Sequence, residues 1–120
     1  MSLTPDQAAL GRSHAGLRLI AQLRIFNQAD FARLRQFISE GYHADVLAEQ
    51  RVSERLATLR LMRAEQGRLR VHQAVAVDPH HVVVIAQTER GAFHLLDLMV
   101  EEDYPHRITA FHSAPLPVEE

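Results

Sequence analysis

The sequence predicts an α+β domain in which a helical N-terminal half packs on an antiparallel sheet. Up to Gly67, apolar residues recur at helical spacing between polar capping residues. Beyond Gly67 the period changes to alternation, β-branched residues become common, and short turns separate the runs. The length of 120 residues and the 47% hydrophobic content suit one domain, residues 1–120, around a single core.

Thr4-Pro5-Asp6-Gln7 opens the first helix: Thr4 caps it, Pro5 suits the first helical position, and Gln7 completes a capping box. Gly11 and Gly16 weaken its continuation, so the strongest helix is expected over residues 13–26. Its wide apolar face comprises Leu17, Leu19, Ile20, Ala21, Leu23 and Phe26. Asn27-Gln28-Ala29 breaks the pattern. Asp30 caps a second helix with a buried stripe of Phe31, Leu34, Phe37 and Ile38, ended by Gly41. One helical turn is expected within residues 43–50, around Val46 and Leu47. Ser53 caps a third helix with Leu56, Leu59 and Met62 inward. Its arginines Arg55, Arg60 and Arg63 alternate with Glu54 and Glu65 as a solvated face. Gly67 is its left-handed terminus.

Four strands are expected over residues 69–77, 82–88, 93–101 and 106–112. The connections Asp78-Pro79-His80-His81, residues 89–92 and Asp103-Tyr104-Pro105 favour an antiparallel meander. The core is expected to span residues 13–112, and the tail from Ser113, with Pro115 and Pro117, reads as irregular. There is no internal repeat or low-complexity linker.

Composition excludes several chemistries. All 13 basic side chains are arginine, so lysine Schiff bases are ruled out. Cysteine is absent, which removes disulfides, thiolate nucleophiles and zinc–thiolate sites. The net charge of -2 and the few aromatics argue against nucleic acid as a partner. Gly-rich phosphate loops and a G-x-S-x-G elbow are missing. No apolar run approaches the roughly 20 residues needed to span a bilayer. The N-terminal residues lack the basic and apolar regions of a secretory signal, so a cytoplasmic location and no membrane partner are expected.

Three segments carry a family resemblance. Ile25-Phe26-Asn27-Gln28-Ala29-Asp30 resembles the "helix, F-N-x-x-D, helix" junction of the NTF2-like (SnoaL-like, ketosteroid isomerase-like) superfamily. Ser53-Glu54-Arg55-Leu56 through Gly67-Arg68-Leu69 is similar to small NTF2-like domains appended to serine hydrolases of the β-lactamase or peptidase type. Pro105-His106-Arg107-Ile108 resembles the corner that starts the last strand in that subgroup. The resemblance covers residues 13–112. It implies a cone-shaped fold of three N-terminal helices on a curved antiparallel sheet of at least four strands, and commonly a dimer. The acidic base and paired tyrosines of ketosteroid isomerases have no match here, nor does a dehydratase-like His–Asp pair, so those activities are not carried over.

Chaining the strands by their turns gives two sheet faces. One carries Leu69, Val71, Gln73, Val75, Val77, Val82, Val84, Ala86, Phe93, Leu95, Asp97, Met99, Thr109 and Phe111, and is expected against the helices. There Asp97 is a candidate general acid or base, with Gln73, Arg107 and Thr109 placed to orient a polar ligand. The alternatives are that Arg107 or a helix arginine pairs with Asp97, or that Asp97 faces water. Tyr42 is a candidate ligand donor near the mouth of the cone, or else a packing tyrosine. The other face carries His72, Val83, Ile85, Gln87, His94, Leu96, Leu98, Val100, Ile108, Ala110 and His112. Its apolar area predicts a homodimer through His72, Ile85, Gln87, His94, Leu96, Leu98 and His112. His80 and His81 should point in different directions, and no carboxylate accompanies His72, His94 and His112 at ligand spacing. Neither a metal nor a cofactor is expected.

The function expected is a non-enzymatic module that binds a small apolar or amphipathic molecule or another protein. One alternative is a small isomerase-, dehydratase- or cyclase-type enzyme using Asp97. Another is an accessory domain that regulates a serine hydrolase.

Overall fold

The structure, a computed structural model, describes residues 5–117. Five helices precede four strands among them: α1 (Pro5–Leu10), α2 (His14–Asn27), α3 (Phe31–Gly41), α4 (Ala44–Glu49), α5 (Val52–Gln66), then β1 (Leu69–Asp78), β2 (His81–Thr88), β3 (Phe93–Val100) and β4 (Ile108–Pro115). The strands form one antiparallel meander in the order β1-β2-β3-β4.

The expectation of three helices is corrected to five, for local reasons. Ser13 caps α2 on its own account, accepting a hydrogen bond from Gly16 N at 3.1 Å, which separates α1 from α2. The turn at residues 43–50 forms α4, capped by His43 accepting from Asp45 N. Ser53 does not cap: Arg51 holds that position without a side-chain cap bond, and Ser53 lies in the first turn of α5. Asp30 does cap α3, accepting from Arg33 N at 3.1 Å. The cap expected of Thr4, with its capping box, lies outside the described residues.

Two glycines are required by what passes close to them. A Cβ on Gly16 would lie 2.2 Å from Leu10 O, so glycine lets the end of α1 rest on α2. Gly67 ends α5 at φ 74 and ψ -150, a region that side-chain-bearing residues scarcely enter.

Both ends of α2 are tied to β1. At the start, Ser13 Oγ donates to Asp78 O at 2.7 Å. At the end, the Asn27 amide donates to Leu69 O and accepts from Leu69 N, both at 2.8 Å, as a neighbouring strand would. Between these ties Leu19, Leu23 and Phe26 of α2 pack with Leu34 and Ile38 of α3, Leu56 and Leu59 of α5, and Val82, Val84, Leu96, Leu98 and Ile108 of the sheet.

The sheet register corrects the expected faces. Val83 pairs with Asp97, Ile85 with Leu95 and Gln87 with Phe93, while Val82, Val84 and Ala86 pair with Leu98, Leu96 and His94. The β2–β3 turn sets this parity. Thr88 N donates to Ala92 O at 2.8 Å, and Thr88 Oγ1 accepts from Arg90 N and Ala92 N. All of β3 is thereby turned over relative to the expectation. Leu96 and Leu98, expected at a dimer interface, are 0% exposed in the core, and His94 is buried with them. Asp97 goes outward, where an ionised carboxylate stays in contact with water. In β1, irregularities between Val71 and Gln73 and between Ala74 and Ala76 put Gln73 on the outer face while Leu69, Ala74 and Val77 remain with the inner set. A shift between Met99 and Val100 lets Ile108 and Phe111 both join the core, with Thr109 at the irregularity. Strand β4 also begins and ends later than expected. Its last residue, Pro115, pairs opposite His94 on an edge strand, where a missing N–H is tolerated.

The register makes a direct prediction. Leu96→Ala should cost about 2–5 kcal/mol, and Leu95→Ala only about 1 kcal/mol, in urea unfolding. The reverse ranking would restore the sequence-derived faces.

Candidate functional site

A groove of about 1190 Å³ opens between α1 and α2 on one side and the paired ends of β1 and β2 on the other. Helical spacing explains its helix wall. Leu17, Ile20 and Arg24 recur at i, i+3 and i+7, one face of α2 beside the core-facing Leu19 and Phe26. Leu17, in the first turn of α2, is 52% exposed, and with the half-buried Ile20 it gives this wall an open apolar stretch. Leu10 and Leu23 deepen the apolar part, and Leu69 and Val71 supply its strand side.

The polar rim gathers where α2 ends and β1 begins. Arg24, Asn27, Arg68, Arg70, Gln87, Thr88 and Glu89 all line it. Cross-strand pairing of Leu69 with Thr88 and Arg70 with Gln87 brings the rim together from two strands. Arg68 is hydrogen-bonded and ion-paired to Glu89, which holds that carboxyl below the usual carboxylate range. Arg70 Nη2 donates to Gln87 Oε1 at 2.6 Å. Sequence reasoning missed this site. The signal available was the half-polar stripe Leu17–Ile20–Arg24, absorbed there into a single wide apolar face.

The residues singled out from sequence do not converge. Tyr42 is 3% exposed, and its hydroxyl donates to Gln22 Oε1 at 2.6 Å inside the core. Burial pushes the phenol's pKa up, with Arg55 and the Gln22 hydrogen bond opposing the shift. Arg55 stacks over its ring at 5.3 Å. Asp97 lies on the outer sheet face, half-buried, and its partner is His81, Nε2 to Oδ1 at 2.7 Å, not an arginine. Gln73 stands on the outer face of β1, and Arg107 is exposed, its backbone N–H donating to Glu101 Oε2. Thr109 is half-buried on β4. Tyr42 does lie beside the start of β4, in a β-bridge with Ile108, between Arg107 and Thr109, but its hydroxyl is taken up by Gln22, while Asp97 and Gln73 stand on the outer sheet face.

The histidines divide. His80 and His81 do point apart: His80 stacks near His14 and His106, whose rings lie 3.8 Å apart, while His81 bonds Asp97. His72 packs on Phe93 and His112 pairs opposite Asp97, both outward, whereas His94 is buried on the inner side. Among the described residues no group of three His, Asp or Glu side chains is arranged to hold a metal ion. Among the same residues no helix is long and apolar enough to cross a membrane.

The fold and the groove together define an α+β domain with an open, amphipathic cleft at one end of its sheet. Compared with known proteins, no family model, no curated protein sequence and no solved structure matches the chain.

Tyr42 predicts a pH dependence of stability. Because its folded pKa is raised above the value of 10.0 for an exposed phenol, its contribution is complete below that pH and is lost as pH rises through and above it. Unfolding free energy should fall above pH 10 by up to about 1.4 kcal/mol per pH unit. Tyr42→Phe should be less stable at neutral pH, for want of the Gln22 bond, yet should lose less on going alkaline. Equal alkaline losses in the two proteins would remove this role from Tyr42.

Proposed function

We propose that the chain is a small-molecule-binding module of the NTF2-like kind whose site is the groove at the α2–β1 end. The observation that carries this reading is Leu17. A leucine half open to water, aligned with Ile20 beside a large cleft, is apolar surface that a bound molecule would cover. The NTF2-like assignment is supported by the junction at residues 25–30, where Asn27 ties the end of α2 to β1 and Asp30 caps α3. The antiparallel meander of β1 to β4 supports it too. The reading favours binding because Glu89, the carboxylate among the described lining residues, is paired with Arg68, which lowers its pKa and weakens it as a base. That suits it to charge pairing rather than to proton transfer.

A neutral apolar dye tests the groove directly. Nile red should bind saturably at one site per chain, and Leu17→Trp, which fills the groove from an exposed position, should weaken it about tenfold, equivalent to 1.4 kcal/mol. Undiminished binding to a folded Leu17→Trp protein would place the dye, and the site, elsewhere.

A second reading, self-association through the outer sheet face, rests on a separate observation. Val75 and Met99 are 55% and 42% exposed there, beside the half-buried Val83, Ile85 and Leu95. Of the residues first expected at a dimer interface, His72, Ile85, Gln87 and His112 lie on this face. Two copies packed face to face about a two-fold axis would cover the stripe. Sedimentation should then report a dimer that Ile85→Arg converts to a folded monomer. A wild-type protein that stays monomeric at high concentration would end this reading.

A further inference from the structure

We infer that the groove selects a single-chain amphipathic anion, with a carboxylate-like head at the Arg24–Arg68–Arg70 end and an apolar tail along Leu17 and Ile20. This rests on the groove being a ligand site, as proposed above.

The argument is one of polarity and of which hydrogen-bonding groups are still open. The rim holds three guanidiniums against one carboxylate, leaving two positive charges uncompensated on a chain whose net charge is -2. Four of the rim's acceptors are already engaged. Both amide groups of Asn27 are bound to the Leu69 backbone, Gln87 Oε1 takes Arg70, Glu89 takes Arg68, and Thr88 Oγ1 takes two N–H groups of its turn. Besides the exposed Gln28 side chain, what remains is chiefly N–H on guanidiniums, since each carries five donors. Arg70 donates to a neutral amide, which leaves its charge unanswered, and Arg24 forms no ion pair among the described residues. A ligand rich in acceptors and negatively charged complements that inventory; a cation or a donor-rich neutral head does not.

The polarity is also graded along one axis. From Leu17 to Arg24 the α2 wall rises roughly 10 Å, passing from apolar to cationic. Arg68 and Arg70 flank Leu69 at the start of β1, on the rim at the same end as Arg24, because Asn27, one turn beyond Arg24, holds Leu69. Arg70 stands by register on the outer-face side of the rim, opposite Gln87. A compact anion such as phosphate would leave Leu17 and Ile20 in water. An elongated molecule with its charge at one end meets both halves.

Competition against Nile red on the intact chain tests this, using decanoate, decanol and decyltrimethylammonium, each below its micelle concentration. Decanoate should displace the dye about tenfold more tightly than decanol, and the cation should be weakest. The decanoate advantage should shrink as salt is added. Arg24→Gln/Arg70→Gln, whose wild-type side chains lie on the surface, should bring decanoate to the level of decanol while leaving decanol unchanged. Equal displacement by decanoate and decanol in the wild type, or an advantage that survives the double substitution, would overturn the anion assignment and leave the groove intact as an apolar site. Failure of Nile red and of all three competitors to bind would overturn the groove reading itself, and this inference with it.

Discussion

The fold depends on one helix being tied at both ends to one strand. Ser13 holds the start of α2 to the end of β1 through Asp78 O, and Asn27 holds the end of α2 to the start of β1 through Leu69. The two elements must therefore match in length. At 14 residues α2 spans roughly 21 Å. A regular 10-residue strand would run to about 30 Å. The irregularities at His72 and Val75 resolve the mismatch: they set β1 against only the eight residues of β2, roughly 23 Å of ladder. The bulges in β1 thus bring the strand to the length of the helix that crosses it.

Once α2 is fixed over the inner face, that face must supply apolar cover, and of the two parities of β3 the even one does so at the lower cost. Its even-numbered residues offer Leu96, Leu98 and Val100; its odd-numbered ones include Asp97. An isolated ionised carboxylate beneath α2 would cost several kcal/mol (about 2–7 even for a neutral polar group without a partner). Outward, Asp97 meets His81 while staying in touch with water. The same parity sends His94 inward as the least favourable member of the buried set, its Nδ1 lacking a hydrogen-bond partner. Two leucines and a valine in the core outweigh one imidazole nitrogen.

Much of this was legible in the sequence. The change of period at Gly67, the cap at Asp30 and the four strands in meander order are consequences of local pattern, and local pattern is what a sequence displays. Sheet-face assignment was not, because both parities of Phe93-His94-Leu95-Leu96-Asp97-Leu98-Met99-Val100 are apolar enough to bury. The choice is made by a turn in which Thr88 bonds across to Ala92, and by bulges that carry no composition signal. Tyr42 was hidden for a different reason. Its partner Gln22 sits on the helix face that periodicity reads as apolar, and only tertiary packing brings the two together. The groove was hidden too, since its walls come from segments roughly 50 residues apart, joined by the reach of Asn27 to Leu69.

The double tie also bears on binding. Leu17, Ile20 and Arg24 share α2 with Leu19, Leu23 and Phe26, so the groove wall and the core wall are adjacent stripes of one rigid element. A helix held at both ends cannot swing to meet a ligand. Under the proposed binding role, little ordering entropy would be lost, and selectivity would come from the preset spacing of apolar wall and guanidiniums. Asn27 joins the two roles most tightly. Its amide fixes β1 to α2, and by being fully engaged it would leave recognition at that end of the proposed site to the arginines around it.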